Sequence, residues 1–155
     1  SESARYYYLS NQPDQHLEFD LDFAKSDKKE NIFYYIQYAH ARIVSLEEKA
    51  SDKFSDIKRN IKNISSGNYK ECDNLIHEIS KFPDIVNKSA NTLQPHVIIY
   101  YLKDLSQLFH SFYNDNHVLS ESEENMQSIL ECLIAVKQVI SNGLNLLGIT
   151  PMQKM

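Results

Sequence analysis

The chain has 155 residues, 42% apolar and 24% charged, with a formal net charge of −5. That length makes one domain, or one domain with an attached piece, able to bury roughly 68–70% of the surface its unfolded form exposes. The acidic balance excludes a protein that holds nucleic acid through a broadly basic surface, yet leaves room for a local RNA site of stacking rings and a few arginines.

In chain order, Ser1 to Ser10 reads as the end of a helix, and Asn11 to Asp14 (NQPD) as a turn. In His16 to Phe23, Leu17, Phe19, Leu21 and Phe23 alternate with Glu18, Asp20 and Asp22. This period of two predicts an extended segment with one buried face, a strap over helices or a strand whose partner is missing. A charged loop, Lys25 to Glu30, leads to Asn31, the expected N-cap of the next helix.

That helix carries Ile32, Ile36, Ala39, Ile43 and Leu46 at steps of four, three, four and three, the spacing of one buried stripe. Tyr35, Tyr38 and Arg42 fall on a neighbouring face, since seven residues make almost two turns. The pattern restarts near Ser51 and runs through Phe54, Ile57, Ile61 and Ile64 to a breaker cluster, NISSGN. Cys72, Leu75, Ile76, Ile79 and Phe82 mark a short helix, and Pro83 opens another. Gln94-Pro95 starts a long helix with Val97, Ile98, Tyr101, Leu105, Leu108, Phe109 and Phe112 at helical spacing, ended by Asn114 to Asn116. Ser120 and Glu123 make a capping box for the last helix. Its buried side is Met126, Ile129, Leu130, Leu133, Val136, Ile140, Leu144 and Leu147; Gly148 stops it, with Pro151 just after. The sum is an all-α helical bundle of four or five helices with short links and an extended N-terminal strap.

No run of about 18 consecutive apolar residues occurs, so no membrane-spanning helix is expected. Tyr6 to Leu9 is too short for a signal peptide and has no cleavage site. Cys72 and Cys132 lie far apart in sequence without CxxC spacing, which predicts two free thiols in a reducing cytoplasm.

Chemistry-bearing motifs are thin. GxGxxG, GxxxxGK, GxSxG and HExxH are all missing. The 6 histidines are scattered without the helical pairing to a carboxylate that a bundle metal site needs, so no metal is expected. The chain alone should catalyse nothing. The Tyr35, Tyr38 and Arg42 face is open to two readings at this point. The rings can pack in the core while Arg42 pairs with a neighbour, or they can stack on unpaired bases while Arg42 meets a phosphate or a base edge. Lys53, Lys58, Arg59 and Lys62 form a basic run that fits either phosphate contacts or a solvated face. A helical protein-interaction module would instead show an exposed apolar groove.

Three segments carry a resemblance. YYIQYAHAR, preceded by HLEFDLDFA, resembles the C-terminal part of arginyl-tRNA synthetases. QPHVIIYYLKDLSQLFHSFYN looks like that family's next hallmark helix, and KQVISNGLNLLGITPMQKM looks like its C-terminus. They occur in the right order over nearly the whole chain. The resemblance implies that residues 31–155 are an all-helical anticodon-binding domain of the DALR type. Residues 1–30 would then be the tail of a class I catalytic domain, ARYYYLS following the KMSKS-type loop. The HIGH-type and KMSKS-type signatures are missing from this stretch. The parent would be an arginine–tRNA ligase, joining arginine to its tRNA with ATP. ATP and magnesium belong to the parent's catalytic domain and no cofactor to this part. The implied partner is arginine tRNA, with no DNA and no membrane, for a cytoplasmic monomer. By position, the resemblance places anticodon contacts on Tyr35, Arg42, Tyr113, His117 and Met155. At His117 some relatives carry a larger ring, such as Trp, which stacks more strongly. Tyr38 joins the set because its ring shares the Arg42 face, while Gln37 and His40 are read as packing and supporting residues. Since all arginine codons imply a middle cytosine in the anticodon, the site should read that base firmly and tolerate variety on either side.

Overall fold

A computed structural model describes residues 2–12, 31–53, 70–116 and 123–155. The expected strap at 16–23, the charged loop, the helix continuation to Ile64, Lys58, Arg59, Lys62, the NISSGN terminator, His117 and Ser120 lie outside the described residues. The described chain is helical: α1 is Glu2–Ser10, α2 Ile32–Lys53, a 3-10 turn Lys70–Cys72, α3 Asp73–Ser80, α4 Phe82–Thr92, α5 His96–Asp115 and α6 Glu123–Leu146.

Local chemistry accounts for the helix ends. Asn31 caps α2: its Oδ1 accepts from the Phe33 amide at 3.1 Å, and its carbonyl accepts from the Tyr35 amide at 3.0 Å. Pro83 sits in the first turn of α4, where its missing N–H is no loss. At the end of α6, the Ile149 amide donates to the Leu144 carbonyl and the Gly148 amide to that of Asn145, both at 2.9 Å. This is a Schellman motif, with Gly148 at φ +68° in the left-handed position and Ile149 buried against the bundle. Leu93 occupies the same left-handed position after α4, at φ 54°, without glycine's freedom.

Burial follows the expected stripes of α2 and α6, while Ile32, Val97 and Leu108 are only partly buried and Ile76 is exposed. Ile36, Ala39, Ile43 and Leu46 of α2 are buried, as are all eight residues named for α6. α5 is the central helix and packs against each of α1, α2, α3, α4 and α6. Ile99 and Leu102 are therefore buried alongside Ile98, Tyr101, Leu105, Phe109 and Phe112, because the helix has neighbours on more than one side. α5 and α6 approach closely where Gly143 faces Leu102: a Cβ on Gly143 would lie 2.8 Å from Leu102 Cδ2. The Tyr101 hydroxyl donates to the Glu78 carbonyl at 3.0 Å, tying α5 to α3. A Lys137–Glu47 ion pair joins α6 to α2.

The two cysteines are free and buried, as expected, but the fold brings them together. A hydrogen bond between the Cys132 and Cys72 thiols, and then burial, pushes the Cys132 thiol well above its ordinary value. Met126–Leu146 of α6 is long and apolar enough to cross a membrane by length and composition. No uninterrupted apolar run occurs there; a stripe of core positions raises the average, and that stripe is buried inside the bundle.

Candidate nucleic-acid interface

α2 and the last turn of α5 meet in a recess of about 240 Å³ lined by Tyr38, Ala41, Arg42, Ser45, Leu46, Lys49 and Tyr113. The helical spacing of Tyr38, Arg42, Ser45 and Lys49 sets them in one row along α2. Arg42 Cζ lies 3.6 Å from the centre of the Tyr113 ring and 5.4 Å from that of Tyr38. Among the described residues, no carboxylate lies within ion-pair distance of Arg42. The salt bridge that simple packing would have supplied is thus replaced by contact with two aromatic faces. Lys49 adds a second cation to the lining, and among the described residues no acidic side chain contributes to it.

Each ring is held from behind. Tyr113 packs on buried Phe109, with centroids 6.0 Å apart, so it stands on the core, partly buried, with Arg42 over its ring. Tyr38 lies between Tyr34, at 6.0 Å and 9°, and His110, at 5.4 Å and 21°. These near-parallel rings join α2 to α5, and Arg42 reaches the Tyr38 ring. Tyr35 behaves differently: its ring packs on His110 at 4.6 Å, and partial burial raises its hydroxyl pKa. It supports the recess through His110 and is not part of its lining.

Of the six expected site residues, the fold brings Tyr38, Arg42 and Tyr113 together and sets Tyr35 behind them. His117 lies outside the described residues. Met155 is half exposed, 52%, at the end of the C-terminal tail and does not line the recess. Sequence reasoning missed Tyr34, His110 and Lys49. Their signal was present in the spacing: Tyr34 is four before Tyr38, Lys49 seven after Arg42, and His110 three before Tyr113.

The tail is ordered by side chains of α1 and α2. Thr150 donates its amide (3.1 Å) and its hydroxyl (2.7 Å) to Glu2 Oε1, and the Arg5 guanidinium donates to the Gly148 carbonyl. Gln37 Nε2 donates to the Thr150 carbonyl, and Gln37 Oε1 accepts from the Met152 amide, each at 2.9 Å. His40 Nδ1 lies 2.7 Å from the Met152 carbonyl, and Lys154 reaches Glu48 at 3.7 Å. Burial lowers the His40 pKa; the Met152 carbonyl pulls it the other way, Lys137 adds to the lowering and Glu47 opposes it. Among the described residues, no group of three or more His, Cys, Asp or Glu is placed to hold a metal ion.

Residues 36–155 match the family model of the DALR anticodon binding domain. All of the chain aligns with an arginine–tRNA ligase of Coxiella burnetii at 39% identity, covering 27% of that relative. An arginine–tRNA ligase of Acinetobacter baumannii is also 39% identical, with 26% of it covered. The solved arginyl-tRNA synthetase of Thermus thermophilus superposes with a TM-score of 0.83 at 25% identity, over 99% of this chain and 26% of that one. The chain thus spans about a quarter of the length of the curated relatives it matches. It belongs to the DALR anticodon-binding domain family, in the form carried by arginyl-tRNA synthetases.

Proposed function

We propose that this chain reads the anticodon of arginine tRNA on behalf of an arginine–tRNA ligase. The observation that carries the reading is the Arg42 guanidinium over the Tyr113 ring and beside Tyr38, in an open recess with no acidic side chain among its described lining residues. An anticodon loop presents splayed bases, which proteins hold by stacking and by hydrogen bonds to the Watson–Crick edge. Each stack contributes ~1–3 kcal/mol, so two rings and a guanidinium plane suffice for a modest, discriminating contact. The volume fits one or two planar rings and is smaller than the ~300–1,000 Å³ of drug-sized pockets.

Arg42 supports the choice of base. A guanidinium offers only donors, which suit the adjacent N3 and O2 acceptors of cytosine and conflict with the N3–H of uracil. Arginine anticodons share a middle cytosine, so the recess is assigned to that base. Tyr35 and Met155 belong to the same proposed site as support and flank, and His117 is assigned to it by the family resemblance alone. Residues 31–155 form the binding domain in this reading, and residues 1–30 the end of a catalytic domain that uses ATP. The setting is a monomeric enzyme in the cytoplasm.

Binding of arginine tRNA to the chain, measured against the same tRNA with its middle anticodon base changed, tests the proposal. Salt-sensitive binding that is lost with the change is expected. Equal affinity for every middle base would show that the recess does not read it.

A further inference from the structure

The C-terminal tail is not held the way a chain end is usually held. Termini fray unless something ties them down. Here the ties are side chains, and they account for both backbone groups of Thr150 and both of Met152. The Thr150 amide goes to Glu2, its carbonyl to Gln37, the Met152 amide to Gln37 and the Met152 carbonyl to His40. Pro151, between them, has no amide to satisfy. The Gln37 carboxamide takes a carbonyl and an amide two residues apart, as the edge of a neighbouring β-strand would, and so holds the segment extended. Gln37 is fully buried and His40 nearly so. Neither side chain is spent on the bundle's helices in these contacts; both serve the tail.

The course of the tail gives these contacts a use. Gln37, His40 and Glu48 follow one flank of α2 from its N-terminal to its C-terminal half, and the tail runs along them in the same direction. That flank lies about 100° around the helix from the Tyr38 and Arg42 row, with Ala41 between them lining the recess. From Met152 three residues remain, and the chain bends at Gln153. The Lys154–Glu48 ion pair carries them from His40 to the turn of α2 that holds Ser45 and Lys49.

We infer that Gln37 and His40 are positioning residues of the anticodon site, holding the tail along α2 so that Met155 stands beside the recess and flanks a base bound in it. The inference rests on the reading of the recess as the base-binding site. Gln37 and His40 touch no base themselves and act only through the tail.

The test compares the intact chain with Gln37→Ala, with a chain ended after Pro151, with both changes together, and with Arg42→Ala. Affinity for arginine tRNA should fall roughly tenfold in Gln37→Ala, the scale of two lost positioning hydrogen bonds. It should fall at least as far on truncation, and no further when the two are combined, because Gln37 has nothing left to hold. Losses that multiply, or a truncation without effect, would overturn the inference. His40→Asn, whose amide can still donate to the Met152 carbonyl, should retain affinity that His40→Ala loses. Release of Met155 by a carboxypeptidase gives a readout free of RNA: it should quicken in Gln37→Ala and stay unchanged in Arg42→Ala. Unchanged release in Gln37→Ala refutes the strap. If Arg42→Ala binds tRNA as the parent chain does, the base-binding reading fails separately, and the release assay still decides whether the tail is strapped. Should Gln37→Ala fail to fold, the His40 pair and the truncation decide the same point.

Discussion

Replacing Arg42 separates a packing residue from a binding residue. In the free protein its side chain meets two ring faces, at 3.6 and 5.4 Å, and no described carboxylate. Each exposed cation–π contact is worth ~0.5–1 kcal/mol, and the more distant one lies at the lower end. The loss of folding stability in Arg42→Ala is therefore about 1–2 kcal/mol. For a chain of this length that lowers the melting temperature by roughly 2–8 °C. The effect on RNA is larger. A lost stack alone is worth ~1–3 kcal/mol, which is about 5- to 150-fold in affinity. If the guanidinium also meets a phosphate, the slope of log K against log salt should shrink by ~0.7, the value for one single-stranded phosphate contact. Arg42→Lys keeps the charge and removes the plane, so it should keep the salt slope and lose the stacking part. Anisotropy of a labelled anticodon stem-loop, titrated between about 50 and 200 mM salt, measures both quantities. Thermal unfolding of the same samples gives the stability arm. A melting drop well beyond 10 °C with unchanged affinity would assign Arg42 to the core, against the ~1–2 kcal/mol limit argued above. Equal affinity for Arg42→Lys would show that the plane is not used.

Three further outcomes follow from local geometry. Leu93 is 83% exposed at φ 54°, a conformation that disfavours L side chains by ~1–2 kcal/mol; Leu93→Gly should raise the unfolding free energy measured in urea by about 0.5–1 kcal/mol once the added freedom of the unfolded chain is set against it. Gly143→Ala should gain ~1 kcal/mol of helix propensity yet lose more, because its Cβ would press on fully buried Leu102 and overpacking costs ~1–3 kcal/mol; the double variant with Leu102→Val should be less destabilised than the sum of the two singles. His40 has a lowered pKa in the fold, so the unfolded chain takes up its proton first: the neutral histidine's stability is fully present above pH ~6.5 and is lost as pH falls below it toward the lowered folded value. Melting curves from neutral pH to about pH 5 should show that loss, and His40→Asn should flatten it; an unchanged slope in the variant would move the effect to another group.

Much of the bundle could be read from periodicity alone. The stripes of α2 and α6, the Asn31 cap and the Gly148 stop are local signals, written within a few residues of where they act. The double-sided burial of α5 was not legible, because a repeat shows which residues share a face and not how many neighbours the helix has. Cys72 and Cys132 are 60 positions apart, and nothing local announces that their thiols meet. The same limit applied to the site. Tyr38 and Arg42 could be paired by spacing, but Tyr113 joined them only through resemblance, and the guanidinium–ring contact is a tertiary fact. Tyr35 was placed on the recess side by its angle on α2, whereas His110, from a different helix, takes its ring. Gln37 and His40 were read as supporting residues, yet what they support lies more than a hundred residues away.

The central position of α5 has a consequence for how binding energy is divided. A helix that touches every other described α-helix cannot open alone; its amides should exchange with solvent only when the whole bundle unfolds. Tyr113 stands on its last turn, backed by Phe109, so the ring opposite α2 is in place before any RNA arrives. The ordering entropy of the encounter then falls on the nucleotide that must leave its stack, and little of it on the protein. A loop already unstacked at its middle base should bind faster than one that is tightly stacked, and the difference should reside in the RNA rather than in any rearrangement of the bundle.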